Sequence, residues 1–207
     1  MSAIRRWWGP AAGVVVLLLT VAVSIHPDPL PGELGYIRWL QDLGEPVPSI
    51  ADVVRTTTGT EAALIVGALP AIWLVSRHRT RGVAGVAIAL VTMLVAQPLL
   101  KEIVDRPRPT PDQVEVRAEH ESKSFPSGHS MSTTTVWAAA AVASLHRKRA
   151  MAVALGVPIA LTGASSGVQG VHWPSDVLAG TLLGALAAAA MLHIVYPRGG
   201  RPEADRP

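Results

Sequence analysis

Six apolar segments constrain this chain more than any other feature. They lie near 9–25, 58–76, 82–100, 129–145, 149–165 and 176–196. Each is about long enough to cross a hydrocarbon core of ~30 Å at a helix rise of ~1.5 Å per residue. Inside a bilayer, backbone polar groups must be satisfied within the protein, so single apolar runs of this length form helices. The expected fold is all-α: a polytopic membrane bundle with six transmembrane helices. Composition agrees, since charged residues are only 16 % of the chain and mean hydropathy is +0.35. Pro70, Pro98 and Pro158 interrupt three of the segments, and membrane helices tolerate this when neighbours satisfy the freed carbonyl.

Basic residues set the expected orientation. Arg5 and Arg6 precede the first segment, RHRTR (77–81) separates the second from the third, and HRKR (146–149) separates the fourth from the fifth. Arg198 and Arg201 follow the sixth. With six crossings all four clusters fall on one side, which the positive-inside rule makes the cytoplasm. Both termini are then cytoplasmic, and 26–57, 101–128 and 166–175 face outward. The opening MSAIRRWW and its apolar run also fit a signal peptide; the closure of the charge pattern favours a retained helix. Basic residues clumped beside apolar runs speak for membrane topology and against nucleic acid. The chain has no cysteine, so it has neither disulfides nor thiolate sites.

Three divisions follow. Residues 1–57 hold the first helix and an outer loop, 58–197 form the functional core, and 198–207 are a polar tail expected to be disordered. In the loop, Leu34, Ile37, Leu40 and Leu43 recur every three residues. That pattern suits an interfacial helix or an ordinary packed loop. Gly180 and Gly184 in the last segment would permit close helix packing.

Reactive residues gather in the outward segments. Lys101 and Arg108 lie seven residues apart near the end of the third helix. They suit a pair of donors to one anion, although a lysine at a helix end also snorkels to the interface. SFPSGHS (124–130) leads into the fourth helix, with Ser127 a candidate N-cap. The backbone N–H groups of Ser127, Gly128 and His129 would make an anion site at that helix start. His129 beside them suits a proton donor, or is incidental to a plain cap. His172 and Asp176 flank Pro174 at the start of the sixth helix. Asp176 would hold one imidazole nitrogen and leave the other as a nucleophile or base; a purely structural pair is the alternative. Three distant segments with cations, a helix start, two imidazoles and a carboxylate on one surface point to phosphate chemistry.

In these residues the chain resembles the type 2 phosphatidic acid phosphatases, a superfamily that also holds the vanadium haloperoxidases. The family pattern is K-x6-RP, then PSGH, then SR-x5-H-x3-D. Here it reads Lys101 with Arg108-Pro109, then Pro126-Ser127-Gly128-His129, then His172 and Asp176. The resemblance implies an integral membrane phosphatase acting on a phosphomonoester or diphosphate of a lipid, of phosphatidic acid or polyprenyl (undecaprenyl) diphosphate type, at the outer face. It implies that His172 attacks phosphorus to give a phosphohistidine and that Asp176 orients it. His129 would protonate the leaving group and then activate water. Lys101, Arg108, Ser127 and Gly128 would hold the phosphoryl oxygens, with no metal and no cofactor.

One position departs from the pattern. Where the family has arginine, this chain has Ser166, and no arginine or lysine occurs from Ala150 to Pro197. Loss of one preorganised donor from such a site costs ~10²–10³ in rate. Arg106, Lys123 or Gln169 could compensate, or the substrate is larger and held differently. Two further readings stay open: a non-catalytic protein that binds or translocates lipid phosphates, and a phosphatase or vanadate-dependent peroxidase for soluble substrates.

Overall fold

The computed structural model describes residues 2–118, 121–144 and 149–196, and these form helices and connecting loops without a strand. The helices are α1 (Ser2–Ile25), α2 (Glu33–Gln41), α3 (Val47–Thr58), α4 (Thr60–His78), α5 (Thr80–Val91), α6 (Gln97–Val104), α7 (Gly128–Ser144), α8 (Arg149–Val168) and α9 (Pro174–Val195). A π turn, Thr92–Ala96, joins α5 to α6 without a break. The six expected apolar segments correspond to α1, α4, α5–α6, α7, α8 and α9.

The number of crossings is less definite than that correspondence. Among the described residues, Thr80–Val104 and Pro174–Val195 are long and apolar enough to span a membrane alone. Val47–Thr58 and Glu61–His78 add a third if that bent pair is one span. Gly9–Ile25 is apolar but shorter. The basic residues 146–148, Arg198, Arg201 and the polar tail lie outside the described residues.

The prolines are accommodated in different ways. Pro98 follows directly on the π turn, in which the Gln97 N–H reaches back to the Thr92 carbonyl, and such a local widening accommodates a proline within a continuous helix. Pro158 lies inside α8, and its carbonyl accepts a hydrogen bond from Thr162 Oγ1 at 2.7 Å. Large apolar side chains such as Leu17, Leu18, Ile65, Leu69, Ile72 and Ile103 are exposed, as expected of helix faces that meet lipid.

The core is α9, against which α1, α5 and α7 pack. Val23 of α1 meets Val104, Phe125 and Ala179, while Leu74 and Ala89 meet Met191 and Val195 near the other end. The α7–α9 contact is a close backbone approach. A Cβ at Gly180 would strike the Ser127 carbonyl, and one at Gly184 the Met131 carbonyl. The paired positions advance together along both helices, so α7 and α9 run parallel and begin at the same end of the bundle.

The segment 26–57 is a packed layer rather than a simple loop. Of the two readings of the leucine pattern a helix forms, α2, with Ile37 and Leu40 buried, while Leu43 lies beyond it and is exposed. A second helix, α3, was not expected; Ala51 packs there with Leu40 and with Val168 of α8. Its VPSIADVVRTTT sequence is short and rich in valine and threonine, which favour helix weakly, so it does not stand out beside the longer apolar runs.

Candidate active site

The site forms where α6 ends and α7 and α9 begin. Asp105 takes a left-handed conformation (φ 51°) and closes α6 through its N–H to the Lys101 carbonyl. The chain then turns back across the start of α9. Lys101 Nζ donates to the Lys123 carbonyl (2.6 Å) and to Ser122 Oγ (3.1 Å). Arg108 donates to the Ser122 carbonyl (2.6 Å), to Ser122 Oγ (3.1 Å) and to the Lys123 carbonyl (3.4 Å). Two cations seven residues apart thus converge on the same acceptors. Burial pulls the Arg108 guanidinium below its usual basicity, against the opposing charge of Asp176.

Arg108 also fixes the loop that carries His172. Its Nη1 donates to the Val171 carbonyl at 2.6 Å and lies 3.4 Å from His172 Nε2. The other ring nitrogen, Nδ1, is 3.5 Å from Ser124 Oγ and 3.7 Å from Asp176 Oδ2. The latter is a charge contact, longer than a hydrogen bond. Catalytic hydrogen bonds of this kind are often loose before substrate binds.

His172 is 2 % exposed. Burial pushes its pKa down to about 4, partly offset by Asp176 and reinforced by Arg108. It is therefore a neutral imidazole near pH 7. A proton on Nδ1, toward Asp176, leaves the Nε2 lone pair facing the cations.

The depressed pKa also has a stability consequence. In the unfolded chain a histidine titrates near 6.5, so between about pH 6.5 and 4 the unfolded state binds the extra proton. Stability from this group is complete above that window and is lost as pH falls through it. The shift corresponds to on the order of 3 kcal/mol. Thermal unfolding in detergent from pH 7.5 to 4 should show a steeper acid loss for wild type than for His172→Gln. Equal slopes would contradict the buried neutral imidazole.

Asp176 is fully buried and both of its oxygens accept hydrogen bonds. Oδ2 accepts from Ser124 Oγ and from the Trp173 N–H (2.9 Å), which closes the first turn of α9. Oδ1 accepts from Arg106 Nη1 at 2.6 Å. Arg106, itself 0 % exposed, also pairs with Glu33 of α2 at 2.7 Å and donates to Ser175 Oγ at 2.7 Å. Glu33 Oε1 in turn accepts from Ser175 N (2.8 Å) and Ser175 Oγ (2.6 Å). The Trp173 ring covers the guanidinium at 5.7 Å, and its indole N–H reaches the Pro107 carbonyl.

The start of α7 departs from expectation in one respect. Ser127 does cap the helix, accepting from the Ser130 N–H at 3.4 Å. However, the Ser127 N–H donates to the Asp176 carbonyl at 3.0 Å. It is therefore not a phosphate donor here, because the close α7–α9 contact takes it. Gly128 opens the helix, so its N–H lies outside the intrahelical ladder. His129 follows, with its Nε2 edge toward Gly59, where a Cβ would come within 3.1 Å.

The three side chains considered as replacements at the serine position are all engaged. Arg106 belongs to the buried Glu33–Asp176 network. Lys123 is 42 % exposed and pairs with Asp105, which raises its pKa. Gln169 Nε2 bonds Asp52 of α3 at 2.6 Å. Ser166 is buried and its Oγ turns back to the Thr162 carbonyl at 3.0 Å. Sequence reasoning missed Glu33, Ser122 and Ser124. Ser122 and Ser124 stand just before the PSGH stretch, but Glu33 comes from 143 residues before Asp176 (176 minus 33) and carries no local signal. Among the described residues no cluster of three or more His, Cys, Asp or Glu could hold a metal ion.

Comparison with known proteins places this arrangement. The family model described as PAP2 superfamily matches residues 82–199. A decaprenylphosphoryl-5-phosphoribose phosphatase of Mycobacterium tuberculosis is 39 % identical over 144 residues, covering 69 % of this chain and 75 % of that protein. The crystal structure of a transmembrane PAP2 type phosphatidylglycerolphosphate phosphatase from Bacillus subtilis is similar with a TM-score of 0.71 at 22 % identity. That match covers 89 % of this chain and 94 % of the other. Aquifex aeolicus LpxE is similar with a TM-score of 0.61 at 22 % identity, over 79 % and 96 % of the two chains.

Proposed function

The chain belongs to the PAP2 superfamily, and from that premise we propose that it is a membrane phosphatase that removes the phosphomonoester of a lipid-linked substrate by way of a phosphohistidine. The observation that carries the reading is the neutral His172 with Nε2 set 3.4 Å from Arg108. A nucleophile and a phosphate ligand share one spot, and phosphoryl transfer needs mainly positioning and charge stabilisation.

The chemistry balances as two displacements. His172 Nε2 attacks phosphorus, the P–O bond to the leaving group breaks, and His129 supplies the proton that the leaving oxygen takes. Water then attacks the phosphorus and gives its proton to His129. The P–N bond breaks, and inorganic phosphate leaves with both groups restored. Lys101, Arg108 and the Gly128 N–H hold the phosphoryl oxygens. Asp176 keeps His172 in the tautomer that leaves Nε2 free.

The membrane side follows from charge. Arg77, Arg79 and Arg81 lie at the α4–α5 turn, and Lys101 is near the far end of the continuous helix that begins at Thr80. Twenty-five residues span about 37 Å, so the basic turn and the site lie on opposite membrane faces. The positive-inside rule makes the site extracytoplasmic, and six crossings would then leave both termini in the cytoplasm.

The decaprenylphosphoryl-5-phosphoribose phosphatase relative favours a polyprenyl-linked phosphosugar as substrate. A phosphate-release panel in detergent tests this with a polyprenylphosphoryl phosphopentose, phosphatidic acid, a polyprenyl diphosphate and a soluble aryl phosphate. The phosphopentose lipid should exceed the aryl ester in kcat/KM by about tenfold or more, because remote binding energy is used at the reacting centre. A diphosphate optimum would shift the substrate class. Lipid-phosphate binding without any turnover would replace the enzyme with a non-catalytic binder.

A further inference from the structure

The site contains a third cation that the motif does not supply. We propose that Arg55 of α3 is a phosphate-binding residue, reaching the site from a different element than the one that carries Ser166. This rests on the reading of the site as a phosphate site.

The placement of α3 is the basis. At one end, Ala51 packs on Val168, and Asp52 Oδ1 takes the Gln169 side-chain N–H at 2.6 Å. These partners stand two and three residues beyond Ser166. At the other end, the Thr58 carbonyl accepts from Thr133 Oγ1 of α7 at 2.7 Å. Gly59 lies so close to His129 that a Cβ there would be 3.1 Å from Nε2. Helix α3 therefore bridges the end of α8 and the start of α7.

Arg55 sits midway on that bridge and on its inner face. Ala51, Arg55, Thr58 and Gly59 follow the i, i+4, i+7, i+8 spacing of one helix face. The outer members of the set touch Val168 and His129, so the middle one is directed between them. Arg55 is half-buried there. Its charge acts on both Arg108 and Lys101. Three cations thus crowd one partly buried space, and a dianion relieves the repulsion among them. A guanidinium also offers the planar fork that matches two phosphoryl oxygens.

Ser166 completes the case. Its hydroxyl is tied to its own helix, and Ala51 and Asp52 press on the turn that follows. In this chain α3 covers the position and brings its own arginine. Substrate binding therefore draws on the segment before the PAP2-matched residues, which start at 82.

The test uses the full-length protein in detergent, with wild type, Arg55→Ala, Arg55→Gln, Arg55→Lys, and Arg55→Ala combined with Ser166→Arg. Two readouts are taken: binding of inorganic phosphate and orthovanadate by titration calorimetry, and phosphate release from the lipid panel. Arg55→Ala and Arg55→Gln should weaken anion binding at least about tenfold and lower kcat/KM ~10²-fold. Arg55→Lys should recover part of the binding but less of the rate, since it keeps the charge and loses the fork. Anion affinity unchanged in well-folded Arg55→Gln would overturn the proposal, as would a wild type that binds neither anion. Arg55-dependent anion binding without turnover would instead leave the proposal standing and remove the phosphatase reading. Recovery of binding in the double variant would show that positions 55 and 166 serve one subsite.

Discussion

His172→Ala is expected to lower phosphate release by about 10⁴-fold or more, close to the uncatalysed background. The size follows from the role. Among the described residues His172 is the imidazole that stands against Arg108, and without a nucleophile the proposed two-step path does not exist. What remains is binding and charge stabilisation, which still bring substrate to the site. KM should therefore move far less than kcat. Rapid acid-free quenching with phosphorus-labelled substrate should trap label on wild type and none on the variant. The label should be stable in base and lost in acid, as a phosphorus–nitrogen bond is. A variant that keeps a tenth of wild-type activity would rule out His172 as the nucleophile.

Arg106→Met should cost about 3–5 kcal/mol of stability, the range for breaking a buried ion pair from one side. Arg106 is 0 % exposed and joins Glu33, 6 % exposed, to Asp176, 0 % exposed. Methionine fills much of the volume but leaves two buried carboxylates facing each other's repulsion. At this chain length the loss amounts to roughly 10 °C or more in Tm. Adding Glu33→Gln removes one of the two orphaned charges and should recover part of that loss. Thermal unfolding of the single and double variants measures both effects. If Arg106→Met unfolds within a degree or two of wild type, the buried network is not what holds α2 to the start of α9. The activity loss should be larger than stability alone explains, because Asp176 would then lack the partner that fixes its Oδ1.

The two predictions draw on different kinds of information. That Lys101, Arg108, His172 and Asp176 gather at one place was legible, because the motif they resemble sets them at helix ends. Apolar run length likewise marked α1, α4, α5–α6, α7, α8 and α9. The pattern Leu34, Ile37, Leu40 marked α2, and Ile37 and Leu40 are indeed its buried positions. What the sequence did not reveal depends on contacts between distant segments. Glu33 is one polar residue in an outer segment until Arg106 and Ser175 close on it. Helix α3 escaped notice because VPSIADVVRTTT mixes threonines and valines, which favour helix weakly, and gains its helix from packing on α8. The Ser127 N–H looked open for an anion because nothing local shows that α9 will bring the Asp176 carbonyl against it. Run length alone also overstated the certainty of six crossings, since two or three of the described helices meet the requirement.

The glycine contacts between α7 and α9 have a mechanical consequence. The α9 glycines lie against α7 main-chain carbonyls, with Ser130 and Thr134 Cβ atoms beside them, so the two helix starts behave like the jaws of a locked caliper. His129 rides on one jaw and the His172 loop leads into the other. The proposed two-step transfer asks one imidazole to give a proton and later take one back, at the same phosphorus. The spacing must survive the whole cycle, and in this fold it is set by main-chain atoms that no rotamer change can relax.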